Sequence, residues 1–163
     1  MQDMVDRLMS EWSDERPELD CSALGVVVRV QLLAKLFQEA AELRLQELGI
    51  RLWEYDALSA LRRRGAPFEM TASELAEASL LTSGTITTRI DGLEQRGLVV
   101  RRPGPDDRRT VYVRLTAAGR RLVDRAVGPR LESAGEKLGA LSVKEFDQLS
   151  AGLRKILSKA APV

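Results

Sequence analysis

Apolar residues recur at helical spacing along most of the chain, beginning with a short amphipathic stretch at residues 3–14. Its apolar positions are Val5, Leu8, Met9 and Trp12, and the loop that follows contains Pro17, which ends any helix there. A second apolar run spans residues 24–48 and ends at Gly49. We predict one long helix for this run. Its apolar face is too broad to be covered from one side, so we expect it to pack against a second chain.

The middle of the chain is divided into shorter helices by recognisable start and stop signals. Residues 52–64 predict a helix closed by Gly65. Thr71 and Glu74 have the spacing of a capping box, which predicts a helix over residues 72–79. Another helix is expected to begin at Thr82 or Ser83, to end near Gly97, and to bury one face made of Ile86, Ile90 and Leu93. Two helices joined by so short a turn indicate a helix-turn-helix.

A β-hairpin and further helices are predicted after this pair. Residues 98–100 and 111–115 indicate two strands, because apolar residues alternate with polar ones in the second. A Pro-Gly-Pro turn at residues 103–105 reverses the chain between them. Helix resumes at Thr116, with a kink or break expected at Gly128 and Pro129. A second capping box, Ser142 with Glu145, opens a last helix whose inward positions are Phe146, Leu149, Leu153 and Ile156.

These elements predict a mainly α protein with a small β-hairpin, arranged as a winged helix-turn-helix with N- and C-terminal dimerisation helices. Residues 1–50 would carry the N-terminal helix and the long helix, residues 51–115 the winged helix-turn-helix, and residues 116–163 the C-terminal helices. All three segments are expected to form one integrated domain, because the chain has 163 residues.

Composition argues against an enzyme. The chain has no histidine and one cysteine, Cys21, so it lacks the commonest general base and cannot assemble a zinc site of the usual type. It also lacks a Gly-rich phosphate loop and a GxSxG elbow, and we expect no cofactor. No apolar stretch approaches a membrane span and no signal peptide is recognisable. We therefore predict a cytoplasmic protein that does not interact with membranes.

Positive charge is concentrated around the hairpin, although the net charge is only +1. Between residues 96 and 121 the acidic residues are Asp106 and Asp107 alone. The same segment carries the arginines at positions 96, 101, 102, 108, 109, 114, 120 and 121. Such a cluster on a turn is typical of a phosphate-binding surface.

Two segments of the chain resemble the MarR family of bacterial transcription regulators. They are SGTITTRIDGLEQRGLV and DDRRTVYVRLTAAG, and the residues that match are Asp107, Arg109, Leu115, Thr116 and Gly119. The resemblance implies a homodimer built from the first and last helices, which binds double-stranded DNA at an inverted-repeat operator. The helix at residues 84–96 would enter the major groove, with Ser83, Thr85, Thr87, Thr88 and Arg89 near its start.

The hairpin tip would then reach the minor groove. Arg109 is expected to enter the groove, and Asp107 to pair with Arg109 and fix its direction. Arg108 is expected to contact phosphate.

A finer resemblance concerns a small ligand. Trp12 and the loop after it resemble the urate-responsive, PecS/HucR-type branch of the family. That resemblance implies a ligand site made of Trp12, Asp56, Arg89 and Arg101. Urate is a planar anion, for which a tryptophan offers a flat face and arginines offer charge and paired donors. The expected function is a repressor released by urate or by a similar anionic purine or aromatic compound.

Two alternatives remain open at this point. Cys21 lies roughly where peroxide-sensing relatives carry a reactive cysteine, which allows a redox-sensing regulator. No tyrosine follows it closely, and no histidine or lysine adjoins it to lower the pKa of its thiol. The other alternative is a helical interaction module without a DNA-binding function.

Overall fold

A computed structural model describes residues 2–79, 83–104 and 110–160. The helices are α1 Met4–Glu15, α2 Ser22–Gln46, α3 Leu52–Arg63, α4 Ala72–Ala78, α5 Ser83–Gln95, α6 Ala117–Leu138 and α7 Val143–Ala160. The strands are β1 Glu69–Thr71, β2 Val99–Pro103 and β3 Val111–Leu115. Among the residues described here, no helix combines the length and the apolar character needed to cross a bilayer.

The chain divides into two compact units, Met1–Ala40 and Ala41–Val163. In the first unit, α1 begins at a capping box in which Asp3 accepts hydrogen bonds from the backbone of Val5 and Asp6. The guanidinium of Arg29, on α2, donates to Asp3 at 2.8 Å and to Asp6 at 2.6 Å. Ion pairs between Arg29 and these two aspartates therefore attach the start of α1 to α2.

The second unit is built on one buried cluster and a small antiparallel sheet of order β1-β3-β2. Leu58 of α3, Ile90 and Leu93 of α5, Val113 of β3 and Val123 of α6 are each less than 2% exposed. In the sheet, Val113 lies opposite Met70 on one side and Arg101 on the other. This cluster fixes α5 against the sheet that carries the wing.

Most of the predicted elements are confirmed, with three differences. The sequence reading missed β1, which has only three residues and makes its bonds to β3 rather than to a neighbour in sequence. Of the kink or break expected at Gly128 and Pro129, the break is wrong, because α6 continues through Pro129 to Leu138. Proline removes one donor and crowds the preceding turn, and α6 nevertheless extends nine residues beyond it.

The third difference concerns the last helix. Phe146, Leu149, Leu153 and Ile156 are between 40% and 55% exposed, so within the single chain they do not face inward as predicted. Large apolar side chains are also exposed along α2, where Val26, Leu36 and Leu43 are 55%, 52% and 64% exposed. Runs of exposed apolar residues on this scale are uncommon on a monomer and mark an interaction surface.

Candidate functional site

Helix α5 is held by its buried face and leaves its other positions accessible. Ile86, Ile90 and Leu93 are buried, as predicted from the sequence. Thr87 and Thr88 are exposed and Arg89 is half-buried, while Ser83 and Thr85 lie in the first turn. Gly97, at φ +65°, ends the helical segment in a backbone conformation that favours glycine. The exposed threonines therefore lie on a rigidly supported helix.

The wing is joined to α6 by a contact that requires glycine. The backbone of Gly119 is so close to β2 that an added Cβ would lie 2.1 Å from the carbonyl oxygen of Leu98. The Thr116 hydroxyl caps α6 by accepting from the Gly119 amide at 3.0 Å. The backbone amide of Thr116 also donates to the Leu98 carbonyl at 3.0 Å. The Leu-Thr-x-x-Gly motif thus locks the end of β3 and the start of α6 onto the start of β2.

Arg101 ties the base of the wing to α5. Its guanidinium pairs with Asp91 at 2.5 Å and with Glu94 at 2.6 Å, and it donates to the Thr87 carbonyl at 3.2 Å. Hydrogen bonds to these acids raise the pKa of Arg101 despite the opposing effect of burial. The backbone amide of Arg101 also donates to Glu94 at 3.0 Å, and this bond lowers the pKa of that carboxyl. Any motion of β2 would therefore be transmitted to α5.

A second arginine ties the C-terminal end of α5 to α3. Arg96 pairs at 2.5 Å with Glu54, whose side chain is 6% exposed, and donates to the Gly49 carbonyl at 2.8 Å. The other carboxylate oxygen of Glu54 accepts from the Arg51 amide at 2.8 Å. Glu54 is buried, and both of its carboxyl oxygens accept hydrogen bonds, as a buried polar group requires.

The basic surface predicted around the hairpin is partly neutralised in the fold. Arg96 and Arg101 form the ion pairs described above. Arg120 lies 3.8 Å from Asp124, and Arg102 lies 3.8 Å from Glu69. The charge pattern of residues 96–121 did not reveal these partners, which all lie outside that segment. Asp107, Arg108 and Arg109 lie outside the described residues, and their roles at the wing tip stay predictions.

Asp56 and Arg89 lie in one cluster between α3 and α5. The Arg89 guanidinium lies over the Trp53 ring at 5.1 Å from its centroid, and its Nη1 atom is buried without a hydrogen-bond partner among the described residues. Burial raises the pKa of the Asp56 carboxyl, and the charges of Arg130, Arg63 and Arg89 act in the opposite direction. The cluster therefore combines an aromatic face, a carboxyl that burial pushes towards its neutral form, and an arginine donor with no partner.

The other two residues predicted for the ligand site are on other elements. Trp12 is on α1, in the first unit, and is 45% exposed. Arg101 contacts Thr87 and Asp91, which are two positions from Arg89 and therefore on the opposite side of the helix axis. In the second unit, Arg89 contacts Trp53 and its charge acts on Asp56, whereas Arg101 is paired with Asp91 and Glu94.

The sequence reading missed residues that complete the cluster. None of Trp53, Arg63 and Arg130 was predicted to belong to the ligand site. The available signal was helical spacing, because Trp53 and Asp56 are three positions apart and share one face of α3. Arg130 comes from the distant α6, so no local pattern could have indicated it.

A reactive thiol at Cys21 and a bound metal ion are the two remaining kinds of candidate site. Cys21 is half-buried immediately before α2, and its carbonyl accepts from Leu24 and Gly25 at the start of that helix. No group of three potential metal ligands occurs among the residues that the structure describes.

A helix pair, a three-stranded sheet ending in a hairpin, and arginine links between them define a winged helix-turn-helix. Residues 48–110 match the sequence profile of the MarR family. The HTH-type transcriptional regulator PecS of Dickeya dadantii is 32% identical over 152 residues, which are 93% of this chain and 92% of PecS. The transcriptional repressor MprA of Escherichia coli is 39% identical over 88 residues, or 53% of this chain and 49% of MprA. The chain belongs to the MarR family.

Solved structures of regulators share this fold. A mutant MarR from Escherichia coli in complex with operator DNA superimposes with a TM-score of 0.73 at 22% identity, covering 90% of this chain and 97% of that one. AbsC, a MarR family transcriptional regulator from Streptomyces coelicolor, gives 0.77 at 21% identity and covers 87% and 95% of the two chains. The expectation of a winged helix-turn-helix transcription regulator rather than an enzyme is confirmed by the family.

Proposed function

We propose that this protein is a homodimeric repressor that binds an inverted-repeat DNA operator and is released by urate or a similar anionic purine or aromatic compound. The observation that carries the ligand part is the cluster of Asp56, Arg89 and Trp53, which joins α3 to the helix expected in the major groove. Each part of the proposal has its own support in the described residues.

DNA binding is supported by the accessible part of α5 and by the wing. Thr87 and Thr88 are exposed near the start of α5, where hydroxyl groups are suited to phosphates and base edges. In a dimer, two such helices would enter successive major grooves about 34 Å apart, which implies an operator with two symmetric half-sites. The wing would place Asp107, Arg108 and Arg109 in or beside the minor groove.

Homodimer formation is supported by exposed apolar surface on α2 and α7. Val26, Val27 and Leu36 of α2 are about half exposed, and Ile156 and Leu157 of α7 are 55% and 66% exposed. Obligate dimer interfaces resemble a protein core and contain side chains of this type. A second copy of this chain would cover them.

Ligand binding is supported by the chemistry of the cluster. The flat face of Trp53 suits a planar ring, and the Arg89 Nη1 atom is a buried donor without a partner among the described residues, so an anionic oxygen would satisfy it. Asp56, whose pKa burial raises, offers an acceptor to ring N–H groups when ionised and a donor when protonated. Trp12 and Arg101 are predicted ligand residues on the family resemblance alone.

The cluster also provides a physical route for release. Arg89 belongs to the helix expected to read DNA, so a ligand that draws its guanidinium away from Trp53 would displace α5. A ligand shifts an equilibrium only through contacts that differ between the two states. Arg89 could provide such a difference in contacts, because its guanidinium would bond to the ligand in one state and lie against Trp53 in the other.

Calorimetric titration with urate, xanthine and salicylate tests the ligand part. We expect urate to bind, and Asp56→Asn to weaken binding by about tenfold because one polar contact is lost. Glu77→Gln, an exposed acid on α4, is the matched control and should leave binding unchanged. Equal binding by Asp56→Asn and the control would exclude the cluster as the ligand site.

A gel-shift series on the DNA upstream of its own gene tests the regulatory part. We expect a specific band that weakens as salt is raised. If no specific band forms, the helical interaction module becomes the better account. Retention of the full peroxide response by Cys21→Ser would exclude a redox switch through Cys21.

A further inference from the structure

A second cluster of arginines lines an open cleft at the base of the wing, away from Asp56 and Arg89. The cleft has a volume of about 690 Å³ and lies between the loop at Pro67 and Phe68, the end of β3 and the first two turns of α6. Its arginines belong to the basic cluster described in the sequence analysis, but none of them is among the individual DNA or urate contacts proposed above. The cleft differs from the buried core beside it, because charged side chains line the cleft.

The cleft has more positive charge than its acids can neutralise. Arg114, Arg120 and Arg121 line it, and the lining contains one acid, Asp124. Asp124 is already engaged, since it accepts from Arg62 at 2.7 Å and lies 3.8 Å from Arg120. Within the described part of the chain, the side chains of Arg114 and Arg121 make no hydrogen bond or ion pair. Two of the guanidinium groups that line this cleft therefore have no ion-pair partner among the described residues.

One wall of the cleft is an aromatic ring that its surroundings hold in place. The guanidinium groups of Arg62 and Arg120 lie over Phe68 at 5.2 and 5.0 Å from the ring centroid. The Phe68 carbonyl accepts from the Leu115 amide at 3.0 Å, and the Phe68 amide donates to Gly65 at 2.6 Å. Phe68 has a φ of 61°, a conformation that a bulky residue adopts only when its surroundings impose it. The cleft is thus preorganised before any ligand arrives.

We propose that this cleft binds a small molecule that carries a phosphate or carboxylate group on an apolar body. Arg114 and Arg121 would donate to the anionic oxygens, in the charge-assisted geometry that guanidinium groups favour. The apolar body would lie against Phe68 and Leu115, which line the cleft. Since Arg114 is on β3 and Arg121 is on α6, the ligand would connect the wing to α6. This site is separate from the proposed urate site.

Titration calorimetry with phenyl phosphate tests this site, because the probe carries both the anion and the apolar ring. We expect the wild-type protein to bind it, and Arg114→Gln and Arg121→Gln each to weaken binding by about tenfold. Neither substitution breaks a contact of the fold among the described residues. Arg125→Gln, an exposed arginine on the next turn of α6, is the control and should bind as wild type. No binding at millimolar phenyl phosphate, or an equal loss in Arg125→Gln, would overturn the proposal.

Two further outcomes separate this site from other anion contacts. If Arg114→Gln and Arg121→Gln leave phenyl phosphate binding unchanged but each reduce the salt dependence of DNA binding by about one unit, the cleft is a DNA-backbone contact and the proposal fails. If Asp56→Asn removes phenyl phosphate binding, the probe occupies the urate site and the proposal fails as well. Loss of urate binding by Asp56→Asn, with phenyl phosphate binding intact, would support two independent sites.

Discussion

The contact between Gly119 and Leu98 gives the sharpest stability prediction. A Cβ at position 119 would lie 2.1 Å from the Leu98 carbonyl oxygen and 3.0 Å from Cδ1 of Leu115. Contacts below 3.0 Å force something to shift, and the nearer atom belongs to the backbone. That carbonyl already accepts from the Thr116 amide and hydroxyl, so moving it strains the junction between the wing and α6.

Two opposing effects set the size of the change in Gly119→Ala. Forcing an extra methyl group into a packed region costs about 1–3 kcal/mol, and occasionally more. Alanine in a helix interior gains about 0.5–1 kcal/mol over glycine. Because the overlap is with backbone rather than with a flexible side chain, we place the steric cost at the upper end. We therefore expect Gly119→Ala to lower the free energy of unfolding by about 2 kcal/mol.

Urea unfolding at one fixed protein concentration measures this change, since an oligomer's stability depends on concentration. Gly135→Ala is the matched control, because Gly135 lies in the same helix and an added Cβ there meets nothing within 4 Å. The control should be as stable as wild type, or more stable by about 0.5–1 kcal/mol. If Gly119→Ala unfolds at the same urea concentration as Gly135→Ala, the close approach of α6 to β2 is not present in the protein.

Three further predictions follow from the ion pairs and the buried carboxyl. Arg96→Gln should lower the free energy of unfolding by about 1–3 kcal/mol, because it leaves Glu54 buried without its cation. Urea unfolding measures this change, and an unchanged free energy of unfolding would contradict the ion pair. Burial raises the pKa of Asp56 above its ordinary 3.8, so ionisation of this carboxyl lowers the free energy of unfolding as the pH rises from 3.8 through the raised pKa. Asp56→Asn should therefore become more stable relative to wild type over that pH range. A difference that stays constant with pH would show that Asp56 is not buried. The hydrogen bond from Arg29 lowers the pKa of Asp3 from 3.8 to about 2, so the stability that this carboxylate contributes is present above pH 3.8 and is lost as the pH falls through 2. Asp3→Asn keeps the helix cap but loses the charge that pairs with Arg29, and proteolysis should cut α1 faster in it than in Asp14→Asn.

The local elements could be predicted from sequence because their signals are local. The capping boxes at Thr71 and Ser142 and the glycines at positions 49, 65 and 97 mark helix ends within a few residues of where the structure has them. The buried face of α5 followed from the spacing of Ile86, Ile90 and Leu93. Each of these features depends on residues three to seven positions apart.

What could not be predicted depends on residues that are distant in the chain. Strand β1 exists because of β3, more than 40 residues later. The pairing of Arg96 with Glu54 spans 42 residues, and Arg130 approaches Asp56 from α6. The family resemblance indicated Asp56 and Arg89, but only coordinates reveal that Trp53 lies against Arg89 and that Arg101 is engaged with Asp91 and Glu94.

The expectation for α7 failed for a different physical reason. Periodicity identifies which residues of a helix share an apolar face, but not whether that face is covered by the same chain or by another. Phe146 and Leu149 have the predicted spacing, and both are more than 40% exposed in the single chain. Helical spacing therefore identified the residues that share the apolar face correctly, but the expectation that the same chain buries this face was wrong.

Fluorescence anisotropy of labelled upstream DNA, titrated with urate in the presence of the protein, tests the central claim most directly. We predict that urate returns the anisotropy to that of free DNA with the wild-type protein, whereas Asp56→Asn binds the DNA and keeps it at the same urate concentrations. If urate leaves the wild-type complex intact up to millimolar concentration, or releases both proteins alike, the Asp56–Arg89 cluster does not link ligand binding to DNA release.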